Sequence, residues 1–241
     1  MNKPLVIIPT FNEAESVPVI LKALLDLPAG LDILVVDDGS PDGTADICRT
    51  FDGGRGRIHV ENRGRKMGLG SAYRHGFAWG LSRGYQSMIE IDADGSHRPE
   101  DLVSLIHAFD SDSRIDLVIG SRWIAGGAVK NWARKRELLS RVANKYAKFA
   151  LGIPVADITA GFRIYRSTIL EKIDFSTVAS EGYCFQIEMT RKVVALNGVI
   201  KEVPITFVER EFGVSKMSIY IVIEAMKRVT LWGLQRLFHF K

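Results

Sequence analysis

The sequence has only two cysteines in 241 residues, Cys48 and Cys184, and neither belongs to a metal-ligand spacing. A cysteine-based metal centre is therefore excluded, and both residues are read as reduced, packed thiols. Long hydrophobic runs are missing as well: no window approaches the roughly 18 to 20 uninterrupted apolar residues of a spanning helix. At the N-terminus Leu5-Val-Ile-Ile8 runs straight into Pro9, without the charged segment and apolar stretch of a secretion signal. Neither a membrane-spanning chain nor a secreted one is expected. The Gly-x-x-x-x-Gly-Lys-Ser/Thr spacing of a phosphate loop is absent too. Arg63-Gly-Arg-Lys-Met-Gly-Leu-Gly70 resembles one only loosely and is read as a basic loop before a helix. A large excess of one charge is also lacking, since the formal net charge is +4, a mildly basic balance that suits anionic partners of several kinds.

What is present suffices for one substantial core. A chain of 241 residues with 46% hydrophobic composition fits a single α/β domain. Short apolar runs alternate with longer amphipathic stretches, the pattern of βα units on a largely parallel sheet. Strands are expected over 5–9, 33–37, 57–61, 88–92, 117–120, 161–165 and 199–207. Helices are expected over 13–26, 43–51, 69–82, 99–109, 138–150, 184–195 and 217–239. Residues 1–216 are assigned to the main domain and 217–241 to a C-terminal amphipathic helix. In such a sheet, ligands bind beyond the carboxyl ends of the strands.

The strongest chemical signal lies at one of those ends. Ser87-Met-Ile-Glu-Ile-Asp-Ala-Asp94 is an apolar run closing on two aspartates one residue apart. In an extended backbone residues i and i+2 point to the same side, so Asp92 and Asp94 converge. Two carboxylates that close repel each other unless a cation lies between them. Mg²⁺ or Mn²⁺ resolves that conflict and completes its shell with substrate phosphates, the chemistry of a nucleotide-diphosphate site. A second copy, Asp110-Ser-Asp112, follows an apolar helix in a polar stretch and is read as a solvated helix end.

Other segments admit two readings each. Asp38, in Asp37-Asp-Gly-Ser-Pro-Asp-Gly-Thr44, suits hydrogen bonds from a base or ribose, while Ser40 or Asp42 suits a helix cap. Asp157 and Arg163 flank a glycine that allows close backbone approach, either lining an acceptor pocket or starting a strand. Gln186 and Glu188 fall among apolar helix positions and read as buried, hydrogen-bonded structural groups. Arg210 and Lys216 surround a glycine turn and suit an anionic leaving group. From Arg122 to Lys148, eight basic residues (Arg122, Lys130, Arg134, Lys135, Arg136, Arg141, Lys145, Lys148) face one acid, Glu137. That segment is a candidate site for a phosphate or an anionic membrane surface, or else a solvated helix face. In 217–241 the first half reads as a helix packed on the domain. The terminal half, with Trp232, Leu237 and Phe238 interleaved with Arg228, Arg236 and Lys241, reads as interfacial.

Taken together, these residues resemble the inverting GT-A glycosyltransferases of family 2, and within them the dolichol-phosphate or polyprenol-phosphate mannosyltransferases. The matching motifs are Pro9-Thr-Phe-Asn-Glu13, Val36-Asp-Asp-Gly-Ser-Pro-Asp-Gly-Thr44, Gly68-Leu-Gly-Ser-Ala-Tyr73, Asp92-Ala-Asp94, Gly120-Ser-Arg122, the segment Trp132 to Asn144, Thr159-Ala-Gly-Phe-Arg163, Gly182-Tyr-x-Phe-Gln-Ile-Glu-Met189 and Arg210-x-x-Gly-x-Ser-Lys216. The resemblance implies a Rossmann-like, mostly parallel GT-A sheet flanked by helices. It implies that Pro9, Phe11, Glu13 and Asp38 hold the nucleoside of GDP-mannose, with Ala93 also on the donor side. Asp92 and Asp94 would bind the Mn²⁺ or Mg²⁺ that bridges the diphosphate, and Arg210 and Lys216 would close over it. Arg122, Arg136 and Ser140 match positions that hold the lipid-phosphate acceptor, which places Asp94, Arg122 and Arg136 at the reaction. Expected partners are GDP-mannose, a polyprenyl or dolichyl phosphate and, peripherally, the cytoplasmic face of a membrane; a separate membrane-anchoring subunit is left open and no nucleic acid is expected. Nothing in the base-binding residues decides guanine from uracil, so a related lipid-phosphate transferase using UDP-glucose or another donor is the alternative. A non-catalytic sugar-nucleotide-binding scaffold is argued against by the intact Asp92/Asp94 pair. Two departures stand out. Ser96 occupies a position where some relatives carry Gln, and the Gln-x-x-Arg-Trp motif of processive synthases is missing.

Overall fold

Leu5 to Ile8 are buried one after another, as a strand covered on both faces requires. Along this strand, β1 (Leu5–Thr10), Leu5 and Ile7 face one apolar layer while Val6 and Ile8 face another. Such alternation is the period of two expected of a pleated strand. A computed structural model describes residues 3–51, 53–54, 56–178, 180, 182–210 and 219–238.

From β1 the chain continues through α1 (Val17–Leu25), β2 (Asp32–Asp37), α2 (Thr44–Phe51), β3 (Ile58–Asn62), α3 (Leu69–Ser82), β4 (Ser87–Glu90), α4 (Pro99–Asp110) and β5 (Ile115–Ser121). It then forms β6 (Ala128–Lys130), α5 (Arg134–Leu151), β7 (Arg163–Arg166), the short α6 (Ser167–Leu170), a 3₁₀ turn over 175–177, α7 (Gly182–Ala195), β8 (Val199–Pro204), β9 (Thr206–Val208) and α8 (Ile219–Phe238). Seven strands form one sheet in the order β3-β2-β1-β4-β7-β5-β8. Only β7 runs against its neighbours, pairing antiparallel with both β4 and β5. The α/β architecture with a mostly parallel, helix-flanked sheet is thus as expected.

Helix α3 lies unusually close to the sheet because Gly76 and Gly80 face it. A Cβ on Gly76 would stand 2.6 Å from Ile7, and one on Gly80 would stand 2.8 Å from Leu5. On that side Tyr73, Phe77, Tyr165 and Phe185 build the core; on the other, Ile20, Leu21, Leu102 and Leu105 do so.

Several boundaries differ from the sequence reading, each for a local reason. The expected strand over 199–207 is two strands, because Pro204 lacks the N–H that would continue the ladder. After it, Ile205 donates its N–H to Ser121, and β9 pairs with β6 in a separate two-stranded sheet. The aspartate pair does not sit on an extended strand either. Strand β4 ends at Glu90, and residues 93–95 bend, with Gly95 at φ 76° and Ser96 N–H closing back on Asp94 Oδ1 at 3.0 Å. Helix α1 begins at Val17 rather than residue 13, with Pro in its first turn. Helix α5 begins a turn earlier than expected, at Arg134.

Helix α8 packs across α5 and α7. Val229 is buried in the core, and a Cβ on Gly233 would stand 3.0 Å from the Ala150 carbonyl. Trp232 packs inward with the Arg191 guanidinium 4.3 Å above its ring, so it is not free to serve the interfacial role expected of it. The side chains of Leu237 and Phe238, and all of Lys241, lie outside the described residues. No helix among the described residues is long and apolar enough to cross a membrane.

Candidate active site

The carboxyl ends of β1, β3, β4 and β5 open onto one cleft of about 410 Å³. Pro9, Glu13, Lys66, Asp92, Ala93, Asp94, His97, Arg122, Arg136, Gln186 and Arg210 all line it. Loop segments after the strands position most of them, while Pro9 lies at the end of β1, Arg136 on α5 and Gln186 on α7. Asp37, at the end of β2, accepts hydrogen bonds from Ser40 N (2.9 Å), Ser40 Oγ (2.5 Å) and Thr10 Oγ1 (2.9 Å), tying the first two loops together. Asp42 accepts from Thr44 N at 3.1 Å and from Ala14 N at 3.1 Å, which gives it the capping role expected of this turn. Desolvation raises its pKa, but the Thr44 side-chain bond and the backbone bonds together outweigh that and leave it lowered.

Asp38 is held from within the protein. Its Oδ1 pairs with the Arg63 guanidinium, and its Oδ2 accepts from Met67 N (2.8 Å) and Gly68 N (3.1 Å). These bonds fix the basic loop before α3, and that loop places Lys66 Nζ 4.5 Å above the Phe11 ring at the cleft's edge. Phe11 thus forms part of a cationic, aromatic wall, while Asp38 sits behind it. Glu13 accepts from Ser16 Oγ at 2.8 Å.

At the centre of the cleft, Asp94 Oδ2 stands 3.4 Å from Arg210 Nη2. Asp92 Oδ2 stands 3.8 Å from Nδ1 of His97, and the Asp92 N–H points at the same nitrogen from 3.4 Å. The His97 ring is buried between Phe162 and Phe207, and burial pushes its pKa down to about 4, with the Arg122 charge adding to that and Asp94 and Asp157 opposing it. It is therefore a neutral acceptor at Nδ1, holding the Asp92 backbone in place. Sequence reasoning passed over His97, since a lone histidine carries no signal. Among the described residues no group of three His, Cys, Asp or Glu side chains gathers for a metal. Two carboxylates with hard oxygens nevertheless fit a Mg²⁺ or Mn²⁺ that takes its remaining ligands from phosphates and water. Lys216, expected over the donor, lies outside the described residues.

The far end of the cleft is cationic. Arg122, 4% exposed, is clamped by the fully buried Asp157 through Nε–Oδ2 at 2.7 Å and Nη2–Oδ1 at 2.6 Å. Its Nη2 also donates to Thr159 Oγ1 at 3.0 Å. Trp123, Trp132 and Phe207 surround that guanidinium at 5.3 to 5.5 Å. Arg136 lies 4.0 Å over Trp132 and pairs with Glu209. Asp157 thus acts by holding Arg122. Arg163 does not reach the cleft; it is buried beneath it and donates to the carbonyls of Ala160, Ile158 and Gln186 at 2.6 to 3.0 Å.

Arg122, Arg136 and Thr159 also line a second pocket, of about 80 Å³. Its walls are Leu139, Ala143, Tyr146 and Ala147 of α5, Ile187 of α7, and Ala225, Met226 and Val229 of α8. Ser140 lines this pocket together with both arginines. A polar cleft with a carboxylate pair at one end therefore meets an apolar crevice at the other, with two arginines at the junction. Of the remaining bases of the 122–148 segment, Lys130 is exposed at the end of β6, and the others are exposed along α5, beside Leu138, Leu139, Val142 and Phe149, which are 46 to 85% exposed. Asp110 and Asp112, in contrast, lie far from this chemistry. Asp110 is exposed at the end of α4 and Asp112 pairs with Arg114 at 2.7 Å, the solvated helix end expected from the sequence.

A carboxylate pair and two arginines thus share one cleft at the carboxyl ends of the strands, and residues 5–174 match the profile of glycosyl transferase family 2. The chain belongs to that family and is a glycosyltransferase. It is 51% identical over 237 residues to a polyprenol monophosphomannose synthase from Mycolicibacterium smegmatis, covering 97% of this chain and 88% of that one. It is 50% identical to an undecaprenyl-phosphate mannosyltransferase from Micrococcus luteus, covering 95% and 93%. Among solved structures it is similar in fold to glucosyl-3-phosphoglycerate synthase from Mycobacterium tuberculosis in complex with UDP, with a TM-score of 0.68 at 18% identity over 98% of this chain and 80% of that one. A further structure of that enzyme, with Mn²⁺, UDP and glucosyl-3-phosphoglycerate, aligns with a TM-score of 0.67 at 19% identity, over 97% and 78%.

Proposed function

We propose that this enzyme transfers mannose from GDP-mannose to a polyprenyl monophosphate, giving a polyprenyl β-mannosyl phosphate and GDP. One observation carries the reading: Arg122 and Arg136 stand where the polar cleft meets the apolar crevice between α5, α7 and α8. A lipid phosphate has the two halves that this junction suits, an anionic head for the arginines and a hydrocarbon tail for the crevice. The two mannosyltransferase relatives, similar over nearly the whole chain, support the same substrates.

In this reading Pro9, Phe11 and Glu13 border the nucleoside, with Asp38 fixing the loop behind them. Asp92 and Asp94 would hold a Mn²⁺ or Mg²⁺, which when bound neutralises charge on the diphosphate. Arg210 exchanges Asp94 for the diphosphate, and Lys216 joins it. Arg122, Arg136 and Ser140 hold the acceptor phosphate in line. A phosphate monoester is already anionic near neutral pH, so it attacks the anomeric carbon without a strong general base. Catalysis then reduces to position and charge, and a single displacement turns an α-linked donor into a β-linked product. The test is a grid of donors and acceptors followed by mass analysis of the lipid. GDP-mannose with polyprenyl phosphate is expected to give product; efficient use of UDP-glucose instead, or of the phosphate-free alcohol, would overturn the assignment.

An acceptor whose tail sits in a bilayer must be met at that surface, which makes this a peripheral enzyme of the cytoplasmic face. The exposed Leu138, Val142 and Phe149 of α5, flanked by Lys135, Arg141, Lys145 and Lys148, suit insertion at an anionic interface better than Trp232 does. Changing Leu138, Val142 and Phe149 together to Asp is expected to weaken sedimentation with phosphatidylglycerol vesicles on the order of 10²-fold, at about 1 kcal/mol for each partly inserted side chain. Donor binding should be retained. Undiminished vesicle binding would move the attachment surface off α5.

A further inference from the structure

Gln186 departs from the role its sequence position suggests. It is 2% exposed, yet neither Oε1 nor Nε2 has a hydrogen-bond partner. A carboxamide offers two donors and two acceptor lone pairs, and burying it without partners is costly. Glu188, two residues on, shows the contrast, since it accepts from Ser180 N at 3.1 Å as a structural group should. Gln186 lies instead at the wall of the donor cleft. Its amide is beside Glu90, whose burial pushes the carboxyl pKa up to about 8 against the lowering influence of Arg163 and of the amide itself, and both Glu90 oxygens are likewise buried without a well-formed hydrogen bond.

Gly161 shows where the amide points. A Cβ built on Gly161 would lie 3.9 Å from Gln186 Nε2, 3.9 Å from Asp92 Oδ2 and 3.8 Å from His97 Cε1. Those are ordinary van der Waals distances, and Gly161 is not among the glycines with positive φ. Neither the backbone nor the protein's own packing requires glycine here. The missing Cβ leaves open one spot flanked by the diphosphate-side carboxylate and an unpaired amide. A carbon atom seated at that spot, carrying a hydroxyl, would bring the oxygen within hydrogen-bonding distance of Nε2.

We propose that Gln186 and the space in front of Gly161 bind the hydroxyls of the transferred sugar and set which hexose the cleft accepts. The inference rests on the functional reading above, in which a sugar nucleotide occupies this cleft. Adjacent hydroxyls of a hexose each donate and accept, and so match the paired donor and acceptor of one carboxamide. A site built to bond a hydroxyl discriminates strongly against a substrate lacking it, because the buried polar group is then left unpaired.

The test compares GDP with sugar nucleotide. In Gln186→Leu, GDP affinity by calorimetry should change less than about twofold, while kcat/KM for the sugar nucleotide falls roughly 10²-fold, the scale of losing a buried hydrogen bond to a substrate hydroxyl. Donors with single ring hydroxyls replaced by hydrogen give the decisive arm. Wild type should reject at least one of them strongly, and the variant should not distinguish that one from the parent. Gly161→Ala supplies a second variant, expected to raise KM for the sugar nucleotide about tenfold or more by filling the spot, again sparing GDP. If Gln186→Leu retains wild-type discrimination among the deoxy donors, or weakens GDP and sugar nucleotide equally, the amide serves the fold or a buried water and the proposal fails. Wild-type turnover of GDP-mannose tests the functional reading separately, since the ratios between variant and wild type are taken with whichever sugar nucleotide the wild type uses.

Discussion

Asp94→Asn is expected to lower transfer by about 10³-fold or more, with Asp92→Asn close behind, because a metal clamp on a leaving diphosphate is worth several kcal/mol and each 1.4 kcal/mol is tenfold. The substitution keeps the shape. An asparagine in place of Asp94 could still accept the Ser96 N–H through its side-chain oxygen, so the loop over 93–95 should persist and thermal stability should change little. What is lost is charge at the one place where the described residues bring two carboxylates into the cleft as neighbours in the chain. Turnover measured at saturating Mn²⁺ and Mg²⁺, beside donor affinity by calorimetry, checks the expectation. Transfer that persists in excess EDTA, or a variant with near-normal turnover, would remove the metal from the account.

The second large effect separates two arginines that look alike in the sequence. Arg122→Ala leaves Asp157 buried and without its bidentate partner, a loss of about 3–5 kcal/mol for a broken buried pair. In a domain of this size that corresponds to a fall in Tm of roughly 10 °C. Arg136→Ala breaks a pair with Glu209 whose side chains are 20% and 32% exposed, and it should cost less than about 1 kcal/mol of stability. Its effect belongs instead to the acceptor: KM for polyprenyl phosphate should rise about tenfold to a hundredfold, as expected when one charge-assisted hydrogen bond to a phosphate is removed, while GDP-mannose affinity stays within about twofold. Melting curves with acceptor-varied kinetics distinguish the two. Equal melting temperatures for both variants, or an Arg136→Ala defect confined to the donor, would contradict this division.

That division also marks what the sequence could and could not disclose. Apolar runs and their alternation are local, and they placed all seven strands of the main sheet and, to the residue, helix α3. Side-chain partners are not local. Asp157 and Arg122 stand 35 residues apart, Asp38 and Arg63 stand 25 apart, and nothing in their own neighbourhoods says that each carboxylate holds an arginine rather than a ligand. The strand β6 is three residues long and exists because β9 pairs with it, so no periodicity announces it. Gln186 and Glu188 look equivalent in the chain, yet one is satisfied by Ser180 and the other faces the cleft unpaired. Composition showed the basic stretch from 122 to 148; only the fold separates its two cleft arginines from the exposed cations of α5.

The most direct test of the central claim is nuclear magnetic resonance of the lipid formed from GDP-mannose and a polyprenyl phosphate. One equivalent of GDP should appear for each mannosyl phosphodiester, and the sugar should be β-linked, as a single displacement at the junction of the two pockets requires. Release of GDP without a phosphodiester, or an α-linked product, would contradict it.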